Sequence, residues 1–97
     1  MQLDTDWDFE EALININSHH PPYGYVGPQL RNRQIETWGQ MVGRTRALSL
    51  FDAAVRKSGS LSAFGKEHSI TTKTLRRFRA YFWNLPHVVL TRDRKIF

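Results

Sequence analysis

Ninety-seven residues suffice for one small domain, and 40% apolar with 24% charged side chains is globular usage, which excludes a disordered or collagenous chain. The cysteine count of zero excludes a disulfide framework, a thiolate zinc site and a cysteine nucleophile together. The net charge of +5 is unevenly spread: residues 1–30 carry Asp4, Asp6, Asp8, Glu10 and Glu11 with no Lys or Arg, and residues 31–97 carry fourteen bases against four acids. A small domain this basic is suited to a polyanion, because every phosphate it contacts releases condensed counterions. No apolar run approaches the ~18 residues that cross a bilayer, and the N-terminus is acidic rather than Lys/Arg-rich. The expectation is a protein without membrane or targeting segments, cytoplasmic and associated with the nucleoid.

The first predicted element is an amphipathic helix over Leu3–Ile16, with Trp7, Phe9, Ala12, Leu13 and Ile16 at three- and four-residue spacings. Thr5 or Asp6 can cap it, and Asp8, Glu10 and Glu11 suit its positive N-terminal end. Residues 18–28, SHHPPYGYVGP, cannot hold a helix and read as a linker or aromatic-bearing loop. Together, residues 1–28 form an acidic helix with a Pro-rich arm, and residues 29–97 form a basic helical domain.

A second helix is predicted from Gln29 to about Val42. Its partial stripe is Leu30, Ile35, Trp38, Met41 and Val42, weakened by Gly39 and Gly43. A third runs over Arg44–Ser58, with Ala47, Leu48, Phe51, Ala54 and Val55 on one face and Leu50 pointing away. Gly59 stands where a left-handed cap ends such a helix.

Residues 60–83 carry the strongest local signal. A short helix capped by Ser60 or Ser62 turns Leu61, Phe64 and Gly65 inward. A turn at His68–Ser69 follows, and Ile70 is a buried pin. Thr71 caps a second helix that buries Leu75, Phe78 and Phe82. This spacing resembles a helix-turn-helix. The motif needs a small residue where its two helices cross, which Gly65 supplies, and apolar residues after the turn, which Ile70, Leu75 and Phe78 supply. Two positions depart from the pattern: Ser69 replaces the frequent turn glycine, and His68 replaces an apolar residue. An amphipathic helical hairpin in an ordinary bundle shares the same spacing.

The outer face of the second helix distinguishes the two. With Leu75, Phe78 and Phe82 inward, Lys73, Arg76, Arg77 and Ala80 face outward, and Thr72 lies at the margin. No acid occurs between Ile70 and Leu90, while Lys73, Arg76, Arg77 and Arg79 crowd together. Solvated helix faces mix Glu with Lys, so an anionic partner is the economical explanation. The resemblance implies a recognition helix whose arginines fork onto guanine or grip phosphate. Past the helix-breaking Asn84-Leu85-Pro86, residues 87–91 are β-branched and apolar, Arg92-Asp93 can turn, and residues 94–97 can return. A hairpin there resembles the wing of winged-helix domains, and a single strand with a basic tail is the alternative.

The expected fold is therefore mostly α, a small tri-helical helix-turn-helix domain with a C-terminal β-hairpin wing. The expected contacts to double-stranded DNA are Thr71, Thr72, Lys73, Arg76, Arg77, Arg79, Arg92, Arg94 and Lys95. The expected role is a transcriptional regulator of the size common in phages and mobile elements. A homodimer is expected because two-fold operators require two motifs, and the acidic N-terminal helix offers a surface to a protein partner. An interaction module, a structured-RNA binder and a subunit of a recombination or packaging machine remain alternatives. No catalytic, metal or cofactor site is expected. His19 and His20 project differently and lack a third ligand, His68 and His87 read as packing residues, and no nucleophile-elbow, phosphate-loop or paired-carboxylate motif occurs. Trp7, Trp38, Phe64 and Trp83 read as core.

Overall fold

The computed structural model describes residues 3–18 and 28–86. Five helices follow one another: α1 (Phe9–Ser18), α2 (Pro28–Val42), α3 (Arg44–Ser58), α4 (Leu61–His68) and α5 (Thr72–Trp83). Among the described residues there is no strand, so the domain is mostly α. The hairpin expected over residues 87–97 lies outside the described residues, as does the Pro-rich arm at 19–27. No helix among the described residues is long and apolar enough to cross a membrane.

Local chemistry accounts for several of the helix ends. α1 starts later than its apolar spacing suggests, because Asp8 rather than Thr5 or Asp6 caps it. The Glu11 amide donates to Asp8 Oδ1 at 2.7 Å and the Asp8 amide donates to Glu11 Oε1 at 3.0 Å. This reciprocal pair satisfies two amides that would otherwise lack intrahelical partners. Asp6 is instead held in the preceding turn, its amide donating to Asp4 Oδ1. α3 ends at Gly59 as expected. Ser60 caps α4 by accepting from the Ala63 amide at 3.1 Å, and Thr71 caps α5 by accepting from the Thr74 amide at 3.2 Å.

One core joins all five helices. Phe9, Ala12, Leu13 and Ile16 of α1 are fully buried with Ile35 and Trp38 of α2, Ala47 and Phe51 of α3, Phe64 of α4, and Leu75, Phe78 and Phe82 of α5. The Phe9 ring sits at the centre. Its centroid lies 4.9 Å from Phe51, 5.7 Å from Phe64, 6.0 Å from Trp38 and 6.2 Å from both Phe78 and Phe82, mostly in tilted or edge-on geometry. Such pairs add to plain area burial because positive ring edges meet negative faces. The boundary at residue 28 thus falls between two helices that share one core.

Two glycines mark where helices meet most closely. A Cβ at Gly39 of α2 would lie 2.3 Å from Phe82 Cε1, so the glycine in α2 admits the α5 ring. A Cβ at Gly65 of α4 would lie 2.4 Å from the Ile70 carbonyl oxygen, and the Ile70 amide donates to the Gly65 carbonyl at 2.8 Å. The turn therefore folds back directly onto α4. Ser69 makes this possible by adopting a left-handed conformation, φ 57° and ψ 45°, at the place where glycine is more usual.

Three apolar assignments from the sequence are corrected. Leu30 and Met41 of α2 are exposed, and Trp83 is 56% exposed rather than core. In α2 the fully buried apolar residues are Ile35 and Trp38, with Val42 partly buried against the core. Trp83 lies about 100° around α5 from Phe82, which carries it off the buried face.

Candidate nucleic-acid interface

The rigid turn at 69–71 sets where α5 points. Ile70 is buried under it, Thr71 caps the helix, and Leu75, Phe78 and Phe82 lock the inner face. What remains outside is Lys73, Arg76, Arg77 and Arg79, all exposed, with Thr72 half-buried at the margin. Lys73, Arg76 and Arg77 make no hydrogen bond or ion pair with any described residue. Three like charges at spacings of one, three and four residues repel one another along a helix. Nothing within α5 relieves this, since the helix has no acid.

Arg79 behaves differently. Its Nε–H donates to Asp52 Oδ1 at 3.1 Å and its Nη2–H to Asp52 Oδ2 at 3.4 Å, a forked pair tying α5 to α3. The structure thus brings Lys73, Arg76 and Arg77 together on the outer face and turns Arg79 to its flank. Thr71 is occupied as the cap, its hydroxyl also donating to Thr74 Oγ1 at 3.0 Å. Arg92, Arg94 and Lys95 lie outside the described residues.

Sequence reasoning missed a pair at the far end of α5. The Arg44 guanidinium lies over the Trp83 ring, 4.6 Å from its centroid, and Arg44 Nε–H donates to the Trp83 carbonyl oxygen at 2.9 Å. Trp83 follows Arg79 by four residues and Arg76 by seven, so helical spacing aligns it with the basic face, a signal present in the sequence. No spacing argument could have supplied Arg44, which arrives from α3. On the neighbouring flank the Gln40 amide donates to the Tyr81 hydroxyl, joining α2 to α5.

The acidic helix is attached by charge as well as by its ring. His68 stacks near Phe64, at 4.4 Å between centroids, and its Nε2 lies 3.0 Å from Glu10 Oε2. A carboxylate only accepts, so Nε2 carries the donated hydrogen. Lys57 Nζ lies 3.6 Å from Glu10 Oε1, and Ser58 Oγ–H donates to Glu67 Oε1 at 2.6 Å. Glu10, Glu67 and His68 offer ligand atoms within 4.8 Å of one another. Each already has a protein partner and an ammonium stands beside Glu10, so the group is an ion-pair cluster between α1, α3 and α4. His19, His20 and His87 lie outside the described residues. Elsewhere, burial lowers the Arg31 pKa from its usual value, and its Nε–H donates to Asn32 Oδ1 at 3.2 Å.

No family model, curated protein or solved structure matches the chain.

Proposed function

We propose that α3, α4 and α5 form a tri-helical helix-turn-helix that binds double-stranded DNA through α5, and that the protein acts as a transcriptional regulator. One observation carries the reading: Lys73, Arg76 and Arg77 share an exposed face of the second helix with no acid to balance them. Supporting it is the close α4–α5 crossing at Gly65, which aims that face outward from a fixed turn. A helix of this width fits the major groove of B-DNA, where arginine forks onto guanine O6 and N7 and lysine or arginine grips phosphate. Thr72 lies beside Lys73 at the end of α5 that would enter first. In sequence, Arg92, Arg94 and Lys95 extend the run of positive charge past α5.

The testing experiment is selection of bound sequences from a random duplex pool at near-physiological salt, with excess nonspecific competitor. The expected result is an enriched motif, and a two-fold repeat about one helical turn apart would indicate a dimer. Retention without enrichment would replace sequence reading by an architectural role. Preference for RNA loops over any duplex would overturn the reading, because A-form RNA hides its major groove from an inserted helix. Loss of all retention would also overturn it and direct attention to a protein partner.

A further inference from the structure

We propose that Trp83 and Arg44 form a second contact on the duplex, an anchor that takes one phosphate and its deoxyribose from the strand bordering the groove. The proposal rests on the duplex-binding reading of α5 and adds a site that helical charge alone did not indicate. Among the described residues Trp83 is the most exposed of the large apolar side chains, at 56%, although the core nearby is tightly filled with rings. Its ring is not left to rotate freely in water. Arg44 covers it at 4.6 Å and grips its carbonyl oxygen through Nε–H at 2.9 Å.

That grip uses one of the five guanidinium donors. The four Nη–H donors of Arg44 have no acceptor among the described residues. An arginine held over an indole, with its Nη donors unpaired among the described residues, is pre-organised for a phosphate. The indole in turn borders an open hollow of about 540 Å³ with Arg76, Arg79, Ala80 and Asn84. Asp52 holds the Arg79 guanidinium through a forked pair at the edge of this hollow.

Length selects the backbone rather than a base as the ligand. From Lys73 to Trp83 the helix rises by about 15 Å, whereas the major groove is about 12 Å wide. A helix that enters by its N-terminal residues therefore carries Trp83 to the groove wall, where sugars and phosphates run. There the apolar face of a deoxyribose suits an indole, and a phosphate suits the Arg44 fork. Such a contact fixes register without reading sequence.

The test uses the full chain with two duplexes of about 20 base pairs, two helical turns, one carrying the selected motif and one of random sequence. Trp83→Ala and Arg44→Gln should weaken both duplexes by the same factor, severalfold, and Arg44→Gln should flatten the salt slope by about one. Trp83→Phe should retain most of the affinity, which separates a lost apolar contact from a lost fold, and thermal melts of each variant check folding directly. The acrylamide-accessible emission that the wild type shows and Trp83→Phe lacks should disappear when duplex is added. If Trp83→Ala and Arg44→Gln bind like wild type while Arg76→Ala with Arg77→Ala does not, the anchor is overturned and the α5 reading stands. If all these variants bind like wild type, or if wild type binds no duplex, both fall. Protection of Trp83 by single strands alone would also overturn the anchor.

Discussion

Gly65→Ala tests the geometry that positions α5. The added methyl carbon would lie 2.4 Å from the Ile70 carbonyl oxygen, whereas carbon–oxygen contacts normally relax to about 3.3–3.6 Å. About 1 Å must open, and the obstructing atom belongs to the backbone, so no side-chain rotation can relieve it. Forcing such a shift in a packed interior costs ~1–3 kcal/mol. Moving the turn also strains the 2.8 Å bond from the Ile70 amide to the Gly65 carbonyl, which contributes ~0.5–1.5 kcal/mol. Against this stands the helix preference of alanine over glycine, ~0.8–1.0 kcal/mol. The clash wins, leaving a destabilisation of about 2 kcal/mol, and for a domain of this size each kcal/mol lowers Tm by about 4–8 °C. Urea unfolding followed by far-UV circular dichroism should show a lower midpoint with an unchanged slope. A variant as stable as wild type, or more so, would refute the close crossing of α4 and the turn.

Other expectations follow from the same contacts. Ser69→Gly should stabilise the protein by a few tenths of a kcal/mol: it removes a left-handed strain of ~1–2 kcal/mol and loses most of that to the freer unfolded chain. A lower Tm would contradict this sign. Phe9→Ala should cost ~3–5 kcal/mol, a large share of the ~5–15 kcal/mol typical of a whole domain. Thermal melts would show it, and a loss below ~1 kcal/mol would contradict a central Phe9. Arg76→Ala or Arg77→Ala should weaken duplex binding by ~1–3 kcal/mol where the residue reads a base. Arg79→Ala should weaken it less, because Asp52 already holds that guanidinium; binding isotherms across a salt series separate the two effects, and an equal loss at all three positions would refute the distinction.

Periodic burial made much of this fold legible in the sequence. α3 has the expected bounds, and Phe64, Gly65, Ile70, Leu75, Phe78 and Phe82 are buried as their spacing requires. Ser60, Thr71 and Gly59 act at the helix ends where their side chains, or the lack of one, suit the backbone. What failed depended on distant partners. The start of α1 turned on a competition among Thr5, Asp6 and Asp8, decided by the reciprocal bond with Glu11 that neither earlier residue makes. Gly39 read as a weakness of α2, yet it is the space that Phe82 occupies. The outer face of α5 was readable from its charges, and its helical spacing already put Arg79 on the flank, but its partner Asp52 on α3 could not be read from α5 alone.

The segregation of charge along the chain has a structural consequence through Phe9. The acids that open the sequence would be free to fold over the basic face if they sat on a loose arm. Instead their helix enters the core: Phe9 meets rings from all four later helices, and Ala12, Leu13 and Ile16 are buried behind it. Glu10 is then held by Lys57 and His68, on α3 and α4 rather than α5. An acid free to reach Lys73 would compete with phosphate for it, since both are anions offering the same oxygen acceptors. Anchoring α1 by an aromatic ring within the acidic run, and Glu10 by Lys57 and His68 beside it, removes that competitor. The same burial makes α1 indispensable to the fold that presents α5, so removing the acids by deletion would remove the basic face's support as well. Asp4→Asn, Asp6→Asn and Glu11→Gln, at exposed positions, separate the two effects because they remove charge while keeping the side-chain oxygens that accept from the Asp6 and Asp8 amides and the buried stripe of α1.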